Sequence, residues 1–310
     1  MLFLKVSLDK LIDEQSIVLV IYGSFIALSA LFYFAFIHSD KSKVILFPIF
    51  LFLIYTLLLY AVPVKYGNHL IPLKWFIILL EPLTVILLFH KANKVVKEFK
   101  RLSPHDYGFT KTLELAFLKV FKNKLTPAVM EIAMLRYSLF FWIKATNSLT
   151  SFSYHQKTGF IASFYALIFG GLIETFAIHL LLIENHPNWA IFSFIIHIYS
   201  LLFIFAHINA VIQQPLKIKS NSLEISIGLF WNLEIPLASM VAIEPLTNFN
   251  AKSLSTINLA KPVLTQPNVL IICNEEITAF GLYNLTKQIK NVALYVDNPN
   301  EFLSLMKETS

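Results

Sequence analysis

Residues 189–227 read WAIFSFIIHIYSLLFIFAHINAVIQQPLKIKSNSLEISI, and two structural patterns meet inside this stretch. Up to Ile212 the residues are almost all apolar, and the run is long enough for one helix to cross a bilayer, which takes roughly 20 residues. After Gln214 short apolar segments alternate with Ser, Asn, Lys and Pro, a pattern typical of strands and turns. The stretch therefore predicts a membrane helix that leads directly into a separate β domain.

Four further runs upstream are long and apolar enough to cross a bilayer. The predicted spans are residues 17–37, 44–62, 70–89, 158–183 and 189–212. The 310-residue chain is 56% hydrophobic and 14% charged, whereas about 25% of the residues of a soluble domain are charged. We therefore expect a membrane α-helical bundle of five transmembrane helices. No small-residue cleavage site follows the first run, so we expect that helix to be retained.

The cations set the expected orientation. Residues 91–157 hold far more Lys and Arg than Asp and Glu, and such loops stay in the cytoplasm. Alternation then places the N-terminus outside and the C-terminus in the cytoplasm of a bacterial inner membrane. The expected organisation is three transmembrane helices in residues 1–89, a cytosolic connection in 90–157, two more helices in 158–214 and a cytosolic β domain in 215–310.

The connection is expected to contain helices of its own. Residues 112–122 alternate apolar side chains with charged ones, and residues 128–144 add an aromatic-rich run. Two placements stay open. These helices either lie on the inner leaflet as amphipathic interfacial helices, or pack against the C-terminal domain.

The last third of the chain is expected to be antiparallel β structure closed by one helix. Asn298 suits the N-cap of that helix, Pro299 its first position and Glu301 the reciprocal capping position, with Phe302, Leu305 and Met306 as its buried stripe. The predicted strands cover residues 216–219, 223–227, 230–235, 240–243, 269–273 and 292–296. Cys273, the single cysteine, is expected to be buried in a strand.

This arrangement resembles the bacterial pleckstrin-homology-like (PH-like) domain. The resemblance rests on residues 223–237, with their isoleucine-proline-leucine step, and on residues 297–302, where an Asp-Asn-Pro segment opens the final helix. The membrane part resembles uncharacterised multi-pass membrane proteins of bacteria in residues 152–155, 157–160 and 174–179. The resemblance implies an architecture and no activity.

Ionisable residues inside the predicted spans are candidates for a functional site, because each costs roughly 2.5–3.5 kcal/mol at the bilayer centre. Counted inward at about 1.5 Å per residue, Glu81, Glu174 and His197 lie at a similar depth, roughly 12–16 Å from the outer surface. His179 lies nearer that surface and completes the candidate intramembrane polar cluster. Two carboxylates and two imidazoles could bind a divalent metal or relay protons.

The competing interpretation is that these side chains only hold helices together, since an interhelical polar contact contributes about 0.6 kcal/mol on average. The sequence has no P-loop, GxSxG or HExxH motif and no recognised metal spacing. We therefore expect no metal and no cofactor, although a haem held by His197 and a second ligand stays an open alternative. The catalytic residues, if the chain is an enzyme, stay unknown.

Partners follow from charge and exposure. The net charge is +6, but the cations flank apolar runs instead of forming the basic face of a soluble module, so no nucleic acid is expected. The bilayer is one partner, and the C-terminal domain is expected to bind a protein or self-associate through a strand edge. The leading hypothesis is a non-enzymatic assembly or regulatory protein. The alternative is a transporter or metal-dependent membrane enzyme that uses the Glu/His cluster.

Overall fold

The computed structural model describes residues 14–38, 44, 46–103, 108–122, 126–142, 150–247 and 255–309. The chain forms two compact units, the first from Met1–Tyr107 and Thr112–Lys124, the second from Gly108–Lys111 and Leu125–Ser310. In the described residues the first unit is helical, and the second combines helices with a sheet.

The first unit is built from apolar helices. Helix α1 covers Glu14–Phe32 and continues as a π-helical turn, Tyr33–Ile37; α2 covers Phe47–Ala61; a 3₁₀ segment, Val64–Leu70, leads into α3, Ile71–Leu102; α4 is Phe109–Phe121. Prolines begin α2 and α3, where a missing amide hydrogen leaves no bond unmade. The small core between the first three helices consists of Ile21, Phe25, Leu51, Ile54, Leu70 and Leu73.

The second unit contains three helices in residues 126–213. Helix α5 covers Thr126–Leu139, α6 Phe160–Ile183 and α7 Pro187–Gln213. Helices α6 and α7 pack closely where Gly171 meets Leu201, since a β-carbon on Gly171 would lie 2.9 Å from a Leu201 methyl. Helices α4 and α5 both lie within residues 90–157.

In the part of the chain that the structure describes, four helical segments are long and apolar enough to cross a membrane: Glu14–Ile37, Val64–Leu102, Phe160–Ile183 and Pro187–Gln213. Helix α2 is apolar but has only 15 residues, which corresponds to about 22 Å of helix against a hydrocarbon core of about 30 Å. The structure therefore supports four of the five predicted spans by length and composition. Their side chains face outward, as Leu79 (75% exposed) and Leu181 (76%) illustrate.

The sheet is predominantly antiparallel. The strands are β1 Ser151–Phe152, β2 Leu216–Ile218, β3 Ser222–Ile227, β4 Trp231–Pro236, β5 Met240–Pro245, β6 Thr256–Asn258, β7 Val269–Gly281 and β8 Thr286–Leu294. They run in the order β1-β2-β3-β4-β7-β8-β6, and β5 pairs with β7 beside this path. Among the described strands, β6 and β8 form the one parallel pair. All six predicted strands are present, and β1 and β6 are additional.

Helix α8, Pro299–Thr309, begins at the predicted residue. Phe302 and Met306 are fully buried under the sheet, and the Phe302 ring lies edge-on to Phe152 with 5.3 Å between centroids. Cys273 is buried in β7 as predicted. A terminal helix packed on an antiparallel-rich sheet is thus confirmed.

Candidate functional site

Two members of the predicted polar cluster, one on α6 and one on α7, approach each other. Glu174 Oε1 lies 4.0 Å from His197 Nε2, with 64% of the Glu174 side chain and 23% of the His197 side chain exposed. The other ring nitrogen, Nδ1, lies 2.7 Å from the Ser193 carbonyl oxygen. That carbonyl can only accept, so Nδ1 carries the proton and Nε2 faces the carboxylate. At 4.0 Å the two atoms are farther apart than in a hydrogen bond, and the contact is an ion pair only when the imidazole is protonated.

The other two predicted members do not take part in this contact. The His179 ring packs on Phe194 of α7 at 5.4 Å between centroids, about one and a half turns beyond Glu174 on α6. Glu81 is an exposed residue of α3 and belongs to the first unit, whereas the other three belong to the second. Among the described residues, no group of three or more His, Cys, Asp or Glu side chains is arranged to hold a metal ion.

A second cluster lies where the end of α7 packs against the sheet. Its residues are not among the predicted site residues. His207 is fully buried near the end of α7, and its ring lies edge-on to Phe230 at 4.4 Å. His207 Nδ1 accepts the backbone N–H of Leu229 at 3.3 Å. The turn between β3 and β4, residues 228–230, therefore rests on this imidazole. We call this contact the helix–turn junction.

Tyr154 fixes the other side of the same turn. Its hydroxyl donates to the Ser226 carbonyl at 2.8 Å and accepts the backbone N–H of Gly228 at 3.2 Å. Gly228 has φ +54°, a conformation that glycine adopts without steric cost. Burial raises the pKa of the Tyr154 phenol well above its usual range, so this hydroxyl keeps its proton and its donor role.

Asp297 ties the entry of α6 to the start of α8. Its carboxylate accepts the backbone N–H groups of His155 (3.1 Å), Gln156 (3.0 Å) and Lys157 (2.8 Å). The backbone N–H of Asp297 in turn donates to the Ser153 carbonyl at 3.0 Å. We call this set of hydrogen bonds the Asp297 clasp; it joins the segment before α6 to the segment before α8.

The clasp shifts the pKa of both acidic and basic groups in it. Burial alone would raise the pKa of Asp297, but hydrogen bonds from Lys157, Ser153 and Gln156, together with nearby His155, lower it below its usual range. Burial lowers the pKa of His155, although the Asp297 charge opposes this. At neutral pH the clasp therefore holds an ionised carboxylate beside a neutral imidazole.

A third polar contact links α5, α7 and the turn between β7 and β8. Glu131 Oε1 accepts hydrogen bonds from the hydroxyls of Tyr199 at 2.9 Å and Tyr283 at 3.0 Å. The two hydroxyl oxygens lie 3.2 Å apart. Tyr283 has φ +50°, a strained backbone for a residue with a β-carbon. The hydrogen bonds hold the turn against α5.

The helix–turn junction, the Asp297 clasp and the tyrosine contact share one property. Each joins two elements of the second unit through hydrogen bonds: α7 to the β3–β4 turn, the entry of α6 to the start of α8, and α5 and α7 to the β7–β8 turn. The Glu174–His197 contact instead lies within the two apolar helices.

Comparison with protein-family models, with curated proteins and with solved structures found no match to this chain.

Proposed function

We propose that this chain is a non-enzymatic assembly or regulatory protein of a bacterial inner membrane. Its N-terminus lies outside, and its C-terminal sheet lies in the cytoplasm as a PH-like module that binds a protein partner or a second copy. The cation-rich residues 91–157 support this orientation. The PH-like assignment is supported by the antiparallel-rich sheet, the Ile235-Pro236-Leu237 step at the end of β4 and the closing helix α8.

One observation carries the proposal: the hydrophobic core runs without interruption from α7 into the sheet. Ile208 and Val211 of α7 belong to the same buried cluster as Ile225 and Ile227 of β3. Only Gln214 and Pro215 separate α7 from β2. Because packed cores do not deform continuously, a partner that tilts the sheet must also move α7. The module is therefore suited to transmit binding in the cytoplasm to the membrane helices.

The proposal is tested by photo-crosslinking in the full-length protein in the membranes of the cells that make it. A photoreactive residue replaces Val241 or Leu264, which are 67% and 55% exposed in the sheet module. The matched control replaces Leu181 of α6, which is 76% exposed. We expect one discrete protein adduct from a module position, either with a partner or with a second copy, and lipid adducts alone from Leu181. Absence of a protein adduct at both module positions contradicts the proposal.

The second candidate is a transporter or metal-dependent membrane enzyme that uses Glu174 and His197, with Glu81 and His179 as further members. The 4.0 Å approach of Glu174 and His197 inside two membrane-length helices is the observation that favours it. Purified E174Q and H197Q are compared with the native protein for bound metal and for proton flux in proteoliposomes, with exposed Glu184→Gln as control. A stoichiometric metal or a flux that both site variants lose, and the control keeps, establishes this candidate.

A further inference from the structure

The outward face of α5 is apolar from Ile132 to Leu139. Ile132, Leu135 and Leu139 are 39%, 43% and 49% exposed, and their spacing places them on one side of the helix. The opposite side packs against α7 and the β3–β4 turn through Met130, Ala133, Met134 and Tyr137. Beyond the helix the apolar surface continues over Phe140, Phe141 and Trp142, which are 46%, 49% and 62% exposed.

The two charged residues of α5 do not interrupt this face. Glu131 accepts hydrogen bonds from the hydroxyls of Tyr199 and Tyr283. Arg136 donates from Nη1 to the Phe140 carbonyl at 2.7 Å, and its guanidinium lies over the rings of Phe109 and Tyr137 at 5.7 Å and 5.6 Å. Both charges are therefore engaged within the unit.

The turn between β7 and β8 extends the same surface. Tyr283 and Leu285 are 46% and 67% exposed, and the Tyr283 hydroxyl is held by Glu131 of α5. The turn is closed by a hydrogen bond from the Leu285 N–H to the Leu282 carbonyl at 3.1 Å. Leu285 is thus presented beside α5 by a fixed backbone.

This surface is continuous with the outward face of α7. Tyr199 of α7 is 41% exposed and shares the Glu131 carboxylate with Tyr283, while the Phe141 ring lies edge-on to Phe205 at 5.7 Å. Farther along α7, Ile195 and Ile198 are 60% and 37% exposed. An apolar surface that adjoins a membrane helix in this way, and that contains Tyr and Trp, suits the boundary between headgroups and hydrocarbon.

We propose that the outer face of α5, residues 139–142 and the β7–β8 turn at 283–285 lie together in the membrane leaflet next to the sheet. We call them the leaflet surface. It would anchor the sheet module at a second point besides α7, so that the module lies against the bilayer. The occupant is lipid, because the leaflet surface continues the lipid-facing side of α7. This inference does not depend on which partner the module binds.

The test uses spin labels on the full chain in vesicles of phosphatidylglycerol and phosphatidylethanolamine. Single cysteines replace Leu285 or Leu135 in a Cys273→Ala parent; the native parent, in which Cys273 is 5% exposed, serves if that variant does not fold. The control is Val241→Cys, because Val241 and Leu285 are both 67% exposed but only Leu285 belongs to the leaflet surface. The measurement is the collision rate of each label with oxygen, which concentrates in lipid, and with a water-soluble nickel chelate.

We expect the labels at 285 and 135 to collide more with oxygen than with nickel, and the label at 241 to show the reverse, with several-fold differences. A label at 285 that is as accessible to nickel as the label at 241 overturns the proposal. Protection of 285 and 135 from both reagents, with an immobilised spectrum, also overturns it, because the surface would then be covered by protein.

Discussion

A β-carbon added to Gly228 would lie 2.5 Å from the imidazole of His207, so the turn between β3 and β4 rests directly on the end of α7. Gly228→Ala forces these groups apart and also places a side chain at φ +54°. We expect it to lower the free energy of unfolding by about 2–4 kcal/mol, because overpacking and a left-handed backbone both cost free energy. Thermal unfolding followed by tryptophan fluorescence measures the loss.

The matched control is Gly170→Ala on α6, where nothing lies within 4 Å of the added β-carbon. Alanine is the better helix former, so this variant should unfold at the native temperature or slightly above it. Equal melting temperatures for the two variants would show that the helix–turn junction does not constrain the fold.

The Asp297 clasp should make stability depend on acid. The pKa of Asp297 is lowered in the folded protein, whereas in the unfolded chain it is about 3.9. The folded state therefore binds this proton less readily, and the stabilisation is complete above about pH 4 and is lost as the pH falls through the folded pKa. Asp297→Asn should be less stable than the native protein at pH 7, and the difference should shrink below pH 4. A difference independent of pH would exclude an ionised carboxylate as the cause.

His155 should produce a separate change at higher pH. Burial lowers its pKa in the folded protein, against about 6.5 when unfolded. Its neutral form is favoured by folding, so its contribution is complete above about pH 6.5 and falls as the pH drops towards the folded pKa. His155→Gln should flatten the stability curve in that window relative to the native protein. Parallel curves for the two proteins would contradict this assignment. Because other histidines titrate there too, the measured quantity is the difference between the two unfolding curves.

The proposed membrane topology predicts at which positions a fused reporter protein is active. Cations retained on the cytoplasmic side fix the topology, so green fluorescent protein fused after Ser310 should fluoresce and alkaline phosphatase at the same site should be inactive. Phosphatase inserted after Asn185, in the turn between α6 and α7, should be active. The reverse pattern at both sites would invert the topology of the second unit.

Local patterns predicted most of the helices, because apolar runs and capping residues act over a few positions. The Asn298-Pro299 start of α8 is an example. The sequence predicts strand β7 only to Cys273, and Asn274, Glu275 and Glu276 follow it. In the structure these exposed residues form an irregularity inside a 13-residue strand that continues to Gly281.

Long-range contacts were less accessible to sequence reasoning. Counting residues inward from the outer surface predicts a similar depth for Glu174 and His197. In the structure Glu174 Oε1 and His197 Nε2 lie 4.0 Å apart. The Asp297 clasp joins residues 142 positions apart, and no periodicity links them. The two-residue strand β1 exists only because Phe152 pairs with Leu216, which leaves no local pattern to detect.

The pairing of β1 with β2 also bears on whether the β domain folds by itself. The sequence predicts that residues 216–310 form an independent soluble domain. In the structure Phe152, Tyr154, Phe160, Ile208 and Val211 belong to the buried cluster of the sheet and lie outside that fragment. Burying one such side chain contributes about 1.5–3 kcal/mol, and a typical domain is stable by only about 5–15 kcal/mol. We therefore expect the isolated fragment to be much less stable than the same sheet in the full chain.

Hydrogen exchange of the β2 and β3 amides in the fragment and in the full chain measures this difference. Strand β8 is the internal reference, because the fragment retains both of its described partner strands, β6 and β7. Equal protection of β3 in the fragment and the full chain would show that the sheet does not need the helices.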